Sequence, residues 1–250
     1  MKWQGRNLHD FHSNKLITGA MIEIKRSGNG PVLLLVDADS LEGVNFEQAD
    51  LRHADLQKAY LPHAELQRTN LMGANLSGAD LYQTNLSKAI LKGADLRNAN
   101  LTGAKLEGAR LTIGDITDAD FVGANLVGAL LQEAIMLRVD LRCANLTKAN
   151  LRGARLQDSF LNLANFQSAD LRDAVLENAD LRHASLQSAN LSHCDLQRAC
   201  FIDANLTDAN LSHSLLNGAD FTFANLTGVK LDKSQFDETT QWPAGFIPPR

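Results

Sequence analysis

Large apolar residues recur at every fifth position from Leu41 to Phe236, without an insertion or a deletion. The series comprises forty consecutive five-residue units, and all forty central residues are Leu, Phe, Ile or Met. The residue two positions before the centre is Ala in 29 of the 40 units, and in most of the others it is another small residue. The period matches neither the α-helical turn of about 3.6 residues nor the alternation of a β-strand. The chain must therefore return to the same environment every fifth residue.

A fixed period over most of a chain is typical of repeat architectures, in which each unit packs mainly against its neighbours. Residues 74–78 (ANLSG) and 94–98 (ADLRN) show the unit A-(D/N)-L-x-x in its plainest form. This pattern resembles the pentapeptide repeat family, and the resemblance covers about 200 of the 250 residues. It implies an all-β fold, a right-handed quadrilateral β-helix in which four units make one coil, with about ten coils here. The central residue and the small residue before it would point inward.

Residues one coil apart should then stack, and the sequence supports this spacing. We number the predicted sides by their centres: side 1 contains Leu41 and every twentieth residue after it, and sides 2, 3 and 4 begin in the same way at Phe46, Leu51 and Leu56. The residue before the centre is Asn in 7 of 10 units on side 2, against 1, 4 and 1 on sides 1, 3 and 4. Stacked Asn side chains can hydrogen-bond along a ladder, so a recurrence every twenty residues is physically reasonable.

The repeat divides the chain into three predicted segments: an N-terminal capping segment at 1–39, the β-helix at 40–238 and a C-terminal capping tail at 239–250. Caps are expected because an open coil exposes unpaired backbone groups at both ends. Ile22 and Ile24 alternate with polar residues, and turn-forming residues separate them from the apolar run 32–36, which predicts a β-hairpin. The tail is similar to the tails of cyanobacterial members of the family.

One inward column of Leu residues is predicted to form the structural core at regular spacing. It consists of Leu51, Leu71, Leu91, Leu111, Leu131, Leu151, Leu171, Leu191 and Leu211. Cys194 should also face inward while Cys143 and Cys200 face outward, so the cysteines predict no disulfide framework. The chain has neither a signal-peptide core nor an apolar run of membrane-spanning length. We therefore expect a cytoplasmic protein that does not bind a membrane.

No sequence motif for catalysis is present, neither a phosphate-binding glycine loop nor a CxxC pair, a nucleophile elbow or an HExxH helix. A filled rod without inserted loops also offers no concave pocket. We expect no enzyme, no cofactor and no small-molecule substrate. One weak metal candidate is the corner column with Asp173, His193 and His213, which could hold Zn²⁺. A solvated corner explains the same residues, and Lys233 in the same column disfavours a cation.

The predicted outer surface suggests where a partner binds. Side 1 carries seven acidic and two basic residues, side 4 carries nine and five, and the other two sides are close to neutral or basic. Side 1 also collects more aromatic residues than the other sides. Acidic and aromatic residues together are typical of a protein-binding surface. The predicted contact residues are Tyr60, Tyr82, Asp140, Phe160 and Phe223, with a mid-rod apolar patch around Ile113, Ile135 and Leu137 as the alternative.

Two functions compete at this stage. The first is a non-enzymatic scaffold or regulator, a monomer or weak dimer, that binds a protein partner through an outer side. The second is suggested by the resemblance, since some family members are DNA mimics that bind type II topoisomerases such as gyrase. Duplex DNA carries about one charge per 1.7 Å, many more than the nine net negative charges of sides 1 and 4. The charge therefore favours the scaffold, and the formal net charge of −5 does not predict direct nucleic-acid binding.

Overall fold

The computed structural model describes residues 21–28 and 30–249. These residues contain three strands: β1 at Met21–Arg26, β2 at Val32–Asp37 and β3 at Ala54–Asp55. Beyond them, the repeat is held by single-residue parallel bridges. In this described part of the chain there is no helix, and so none that could cross a membrane.

The bridges join residues twenty positions apart, from Asn45–Glu65 to Leu215–Gln235, so that four five-residue sides make one coil. From Phe46 to Leu216, each central N–H donates to the carbonyl of the residue before the centre in the next coil, as Leu131 does to Asn150 at 2.7 Å. In the other direction, the Leu130 N–H donates to the carbonyl of Ala109 at 2.8 Å. Neighbouring coils therefore satisfy most backbone groups of each other's sides.

A tight turn follows each central residue. The N–H of the next small residue donates to the carbonyl of the centre, as Ala134 does to Leu131 at 3.1 Å. The second residue after the centre has a positive φ, as a type II turn requires at its third position. Glycine accepts this conformation without steric cost, which explains residues such as Gly123, yet 28 of the described residues other than glycine also adopt a positive φ.

The Asn column of side 2 stacks as expected, but the described side chains do not form the hydrogen-bonded ladder that such stacking allows. Across the described residues no hydrogen bond joins two Asn side chains of this column. Each Asn side chain instead serves its own turn: the Asn145 Oδ1 accepts the backbone N–H of Thr147 at 3.1 Å and its hydroxyl at 2.6 Å. Asp fills the same role elsewhere, since the Asp80 Oδ1 accepts the N–H of Tyr82 at 3.1 Å. The recurrence of Asn and Asp thus reflects local turns.

The interior is closed and apolar. All nine Leu residues of the predicted core column are at most 1% exposed. Four buried Ser and Thr residues that replace Ala donate their hydroxyl to the carbonyl of a centre in the preceding coil, as Ser214 does to Leu191 at 2.7 Å and Thr69 to Phe46 at 2.7 Å; the other two are Thr84 and Ser159. Cys194 makes the same contact through its Sγ, 3.0 Å from the Leu171 carbonyl. These hydrogen bonds explain why small polar residues are tolerated in the core.

An antiparallel hairpin of β1 and β2 lies at the N-terminal end of the rod. Strand β1 also pairs with β3 in the first coil, so the sheet has the order β2-β1-β3. Ile24, Leu34 and Val36 of the hairpin are buried in the same core cluster as the central residues. The part of the predicted cap at 1–20 lies outside the described residues.

At the C-terminal end the ladder continues past the boundary predicted at residue 238. The last bridge joins Asp220 to Gln241 and spans 21 residues, so one residue is inserted in the final side. With this shift, Thr240 takes the small inward position and donates to the Leu216 carbonyl at 3.0 Å. Trp242 takes the central position and stacks on Phe221, with ring centroids 5.1 Å apart.

Candidate interaction surface

Side 1 carries most of the large apolar groups that the rod leaves in contact with solvent. Of nine such exposed residues in the described chain, five lie on this side: Tyr60, Tyr82, Phe160, Leu163 and Phe223. Phe223 is the most exposed of the five at 74%. Single apolar residues on a surface are normal, but their concentration on one side of four is not required by the fold.

The exposed residues of side 1 form two groups rather than one continuous patch. Tyr60 and Phe160 are five coils apart, which corresponds to about 24 Å along the rod. Near the N-terminal end, the His63 and Tyr82 rings meet edge to face at 5.6 Å, and Gln83 donates to the Tyr82 hydroxyl at 3.0 Å. We call Tyr60, His63 and Tyr82 the tyrosine cluster.

The second group lies towards the C-terminal end of side 1, and we call Phe160, Leu163 and Phe223 the phenylalanine ridge. Phe160 precedes the centre Leu161, whereas Leu163 and Phe223 each lie two residues after a centre, in one corner column. Leu163 was not among the predicted contact residues, although it is 56% exposed. Its outward position in the five-residue unit was the signal that could have identified it.

Asp140, a predicted contact residue, forms an ion pair with Arg142 of its own five-residue unit. The Arg142 Nε and Nη2 donate to its carboxylate at 2.9 and 2.6 Å. Arg182 and Asp180 make the same pair, at 2.8 and 2.6 Å, and these hydrogen bonds hold the pKa of Asp180 below its usual value. The two Lys or Arg residues of side 1 thus each pair with one of its seven acids, and Asp140 is one of the two paired acids.

Acidic residues of side 4 are paired as well. Arg97 contacts Asp95 at 2.6 Å, Arg138 contacts Asp118 at 2.6 Å, and Arg198 pairs with Glu177. The sequence signal for several of these pairs is Asp-Leu-Arg, because the residues before and after a centre point to the same side. The two acidic sides therefore present less free negative charge than their composition suggests.

The weak metal candidate does not have the geometry of a metal site. The His193 and His213 rings stack face to face, with centroids 4.6 Å apart and planes inclined by 8°. The nitrogen lone pairs lie in the ring planes, so those of two stacked rings run parallel and do not converge on one ion. Asp173 instead accepts a hydrogen bond from the Arg152 Nε at 3.0 Å. Among the described residues, no three His, Cys, Asp or Glu side chains are grouped to hold a metal.

The mid-rod apolar patch is less exposed than side 1. Ile113 is 49% exposed and adopts a φ of 55°, an unusual value for a β-branched residue. Ile135 and Leu137 lie one coil further on side 4 and are half-buried. The cysteines are placed as expected: Cys143 is exposed, Cys200 is half-buried and Cys194 is buried, and all three are free.

The family match covers the repeat region of the chain. The family model for Pentapeptide repeats matches in 8 copies, over residues 40–78, 74–112, 119–158, 164–203 and 204–240. HetL, a pentapeptide repeat protein involved in heterocyst differentiation regulation in the cyanobacterium Nostoc sp. strain PCC 7120, is 33% identical. The alignment covers 84% of this chain and 89% of HetL, with a TM-score of 0.48.

More distant similarities extend to other solved structures. A trypsin-treated variant of QnrB1, a plasmid-mediated fluoroquinolone resistance protein, is 19% identical over 67% of this chain and 92% of that chain, with a TM-score of 0.34. Rfr23, a pentapeptide repeat protein from the cyanobacterium Cyanothece 51142, is 30% identical over 51% of this chain and 63% of that chain, with a TM-score of 0.18. No curated protein matches the chain.

Proposed function

This chain belongs to the pentapeptide repeat family, and from that premise we propose that it is a non-enzymatic scaffold or regulator that binds a protein partner through side 1. Scaffolds of this family are generally non-enzymatic. The family fold is the right-handed quadrilateral β-helix, and the forty units correspond to ten coils in this proposal. We further propose a monomer or weak dimer that acts in the cytoplasm without a cofactor, a small-molecule substrate, a nucleic acid or a membrane.

The exposure of large apolar residues on side 1 carries this proposal. The coil-to-coil ladder and the closed core account for the inward residues and for most backbone groups, but they assign no role to outward aromatic rings. Tyr60 and Phe160 are 54% and 50% exposed on the same side, where burial against a partner would remove them from water. Aromatic residues are also enriched among those that dominate binding energies in protein interfaces.

A paired substitution tests the side assignment. Once a partner has been captured with the tagged protein from a lysate of the source cell, Tyr82→Ala with Phe160→Ala should weaken its binding by about 2–4 kcal/mol. Both residues are outward, so the thermal unfolding midpoint should stay unchanged. The matched control is Ile135→Ser with Leu137→Ser on the mid-rod patch, which should leave binding intact. Loss of binding in the control alone would transfer the contact to that patch.

The DNA-mimic alternative has less support. A mimic of duplex DNA needs a dense and continuous negative surface. On this rod, Arg142 and Arg182 interrupt side 1, and Arg97, Arg138 and Arg198 interrupt side 4, each paired with an acidic neighbour. The similarity to QnrB1 adds no argument for that function, because its sequence identity is low.

A further inference from the structure

We propose that the phenylalanine ridge, with the carboxylates between its ends, binds a basic amphipathic α-helix of the partner protein. This inference rests on the proposed function, because it names the kind of segment that would occupy side 1. It follows from the backbone hydrogen bonds of this side, the spacing of its apolar groups, their backbone conformation and the charges that lie between them.

The backbone of side 1 is not available for pairing with an added strand. Along the ridge, the N–H of Phe160 donates to Val139 at 3.0 Å, that of Leu161 to Asp180 at 2.8 Å and that of Leu163 to Arg182 at 3.0 Å. The same backbone hydrogen bonds continue in the following coils as far as Asp220. An extended segment gains affinity by joining the free edge of a sheet, and this side has no such edge. A partner must therefore recognise side 1 through side chains.

The apolar side chains of the ridge have a spacing that fits a helix lying along the rod. Leu163 and Phe223 occupy the same corner column three coils apart, which corresponds to about 14 Å. About ten residues of α-helix cover this length. Ile202 is half-buried between them on the same side. A helix with apolar residues at i, i+3, i+7 and i+10 would bring one face against Leu163, Ile202 and Phe223 in turn.

The backbone at both ends of the ridge indicates that folding alone did not select these residues. Leu163 and Phe223 have φ values of 62° and 60°, which bulky side chains rarely adopt. In the same corner column, Gly123 adopts a positive φ without strain, and Asp203 adopts it with less strain than Leu163 or Phe223. A large, exposed apolar residue in a strained conformation suggests a role in binding.

Free negative charge lies between the two ends of the ridge. The Asp203 carboxylate has only His183 nearby, at 3.8 Å, and the Asp220 carboxylate accepts the backbone N–H of Thr222 at 2.9 Å. Within the described part of the chain, neither forms an ion pair with Lys or Arg. Asp180, by contrast, is neutralised by Arg182. The ridge therefore favours a helix with Lys or Arg beside its apolar stripe.

Synthetic peptides test this inference without knowledge of the partner. The probe is a fluorescent 18-residue peptide of Leu and Lys arranged with helical periodicity, compared with a peptide of the same composition in strict alternation. We expect the helical peptide to bind the full chain at least tenfold more tightly, as measured by fluorescence anisotropy. Equal binding of the two peptides would overturn the helix assignment.

Variants locate the peptide on the rod. Leu163→Asn with Phe223→Asn should weaken binding of the helical peptide at least tenfold, because Asn keeps the positive φ and removes the apolar contacts. Ile113→Asn is the matched control at the corner of another side and should change binding less than twofold. Binding of the Leu163/Phe223 variant within twofold of the unmodified chain would overturn the proposal.

Charge-neutral variants test the second element of the site. Asp203→Asn with Asp220→Asn should weaken binding at least fivefold at low salt, whereas Asp208→Asn with Asp232→Asn, on sides 2 and 3, should not. An equal effect of both pairs would mean that only net charge matters and would overturn the site. If the peptide fails to bind but the captured partner still depends on Tyr82 and Phe160, the helix is wrong while side 1 remains the contact surface. If the peptide does not bind and the captured partner does not depend on Tyr82 and Phe160, both proposals are wrong.

Discussion

At the scale of the residue, the second position after each centre determines how much strain a turn contains. The left-handed conformation costs an ordinary residue about 1–2 kcal/mol relative to glycine, and Asn and Asp tolerate it better. Residues other than glycine nevertheless adopt a positive φ at 28 positions. The repeat therefore accumulates strain at its corners, and the largest strain falls on branched or bulky residues such as Ile113 and Leu163.

Ile113→Asn should stabilise the rod. Asn accepts the φ of 55° more readily than Ile, and the half-exposed Ile side chain contributes little burial. We expect the free energy of unfolding to rise by about 1 kcal/mol, measured by chemical denaturation. Ile113→Val keeps the β-branch and should give no gain. A less stable Asn variant would show that Ile113 makes a packing contact that outweighs the strain.

Inward and outward positions could be predicted residue by residue, because each follows from the place of the residue in the five-residue unit. The buried Leu131 and the exposed Phe223 are both explained in this way. The role of Asp140 could not be predicted from its place alone, since its charge is neutralised by Arg142, two residues away. Side-chain pairing depends on geometry within the side, and the fivefold pattern does not encode it.

At the scale of the element, ion pairs within single units link the stability of the rod to pH. Hydrogen bonds from Arg182 lower the pKa of Asp180, and hydrogen bonds from Arg97 lower that of Asp95. A carboxyl group whose pKa is lower in the folded state stabilises that state at pH values above the ordinary pKa of the group, 3.8. This contribution is lost as the pH falls through the folded pKa.

Arg182→Gln should therefore lower stability at neutral pH and have little effect in acid. The pair is partly exposed and screened by solvent, so we expect only a small loss of stability at pH 7. Thermal unfolding midpoints of the two proteins should converge as the pH falls below 3.8. Thr222→Gln, a change at the same position of another coil where no ion pair exists, controls for the substitution. A difference that stays constant down to acid pH would contradict the assigned pair.

The C-terminal cap depends on a shift of one residue that brings Trp242 into the central column. Its ring stacks on Phe221 at 5.1 Å and on Phe246 at 5.3 Å. The sequence predicted a C-terminal capping tail at 239–250, but it could not give the shifted register. Residues 237–242 no longer follow the five-residue pattern, and the insertion is determined by the packing of Trp242 and by the hydrogen bond from Thr240.

Trp242→Ala should open the final side without unfolding the rest of the rod. The Phe221 N–H donates to the Gln241 carbonyl at 2.8 Å and should lose protection from hydrogen exchange, while the Leu131 N–H stays protected. Repeat proteins can open at their ends independently of their centre. Ile247→Ala is the control, since this side chain is 87% exposed and should be dispensable. Unchanged protection of Phe221 in the Trp242 variant would show that the tail does not hold the last coil.

At the scale of the whole molecule, the rod presents four sides that share one backbone and differ only in their outward side chains. The period of five predicted a repeat architecture, and the resemblance to the pentapeptide repeat family implied four sides per coil. The bridges between residues twenty apart agree with that implication. Which side binds a partner does not follow from the geometry of the repeat. Counting acidic residues favoured sides 1 and 4, but their ion pairs leave the exposed apolar groups of side 1 as the more distinctive feature.

The most direct test of the central claim compares the four sides within one coil. Asn162, Gln167, Arg172 and Glu177 each follow a centre by one residue, on sides 1, 2, 3 and 4. Each is replaced in turn by a photo-cross-linking amino acid, and the yield of covalent adduct with the captured partner is measured. We predict that the adduct forms mainly from position 162. A larger yield from any of the other three positions would contradict the assignment of side 1 as the binding surface.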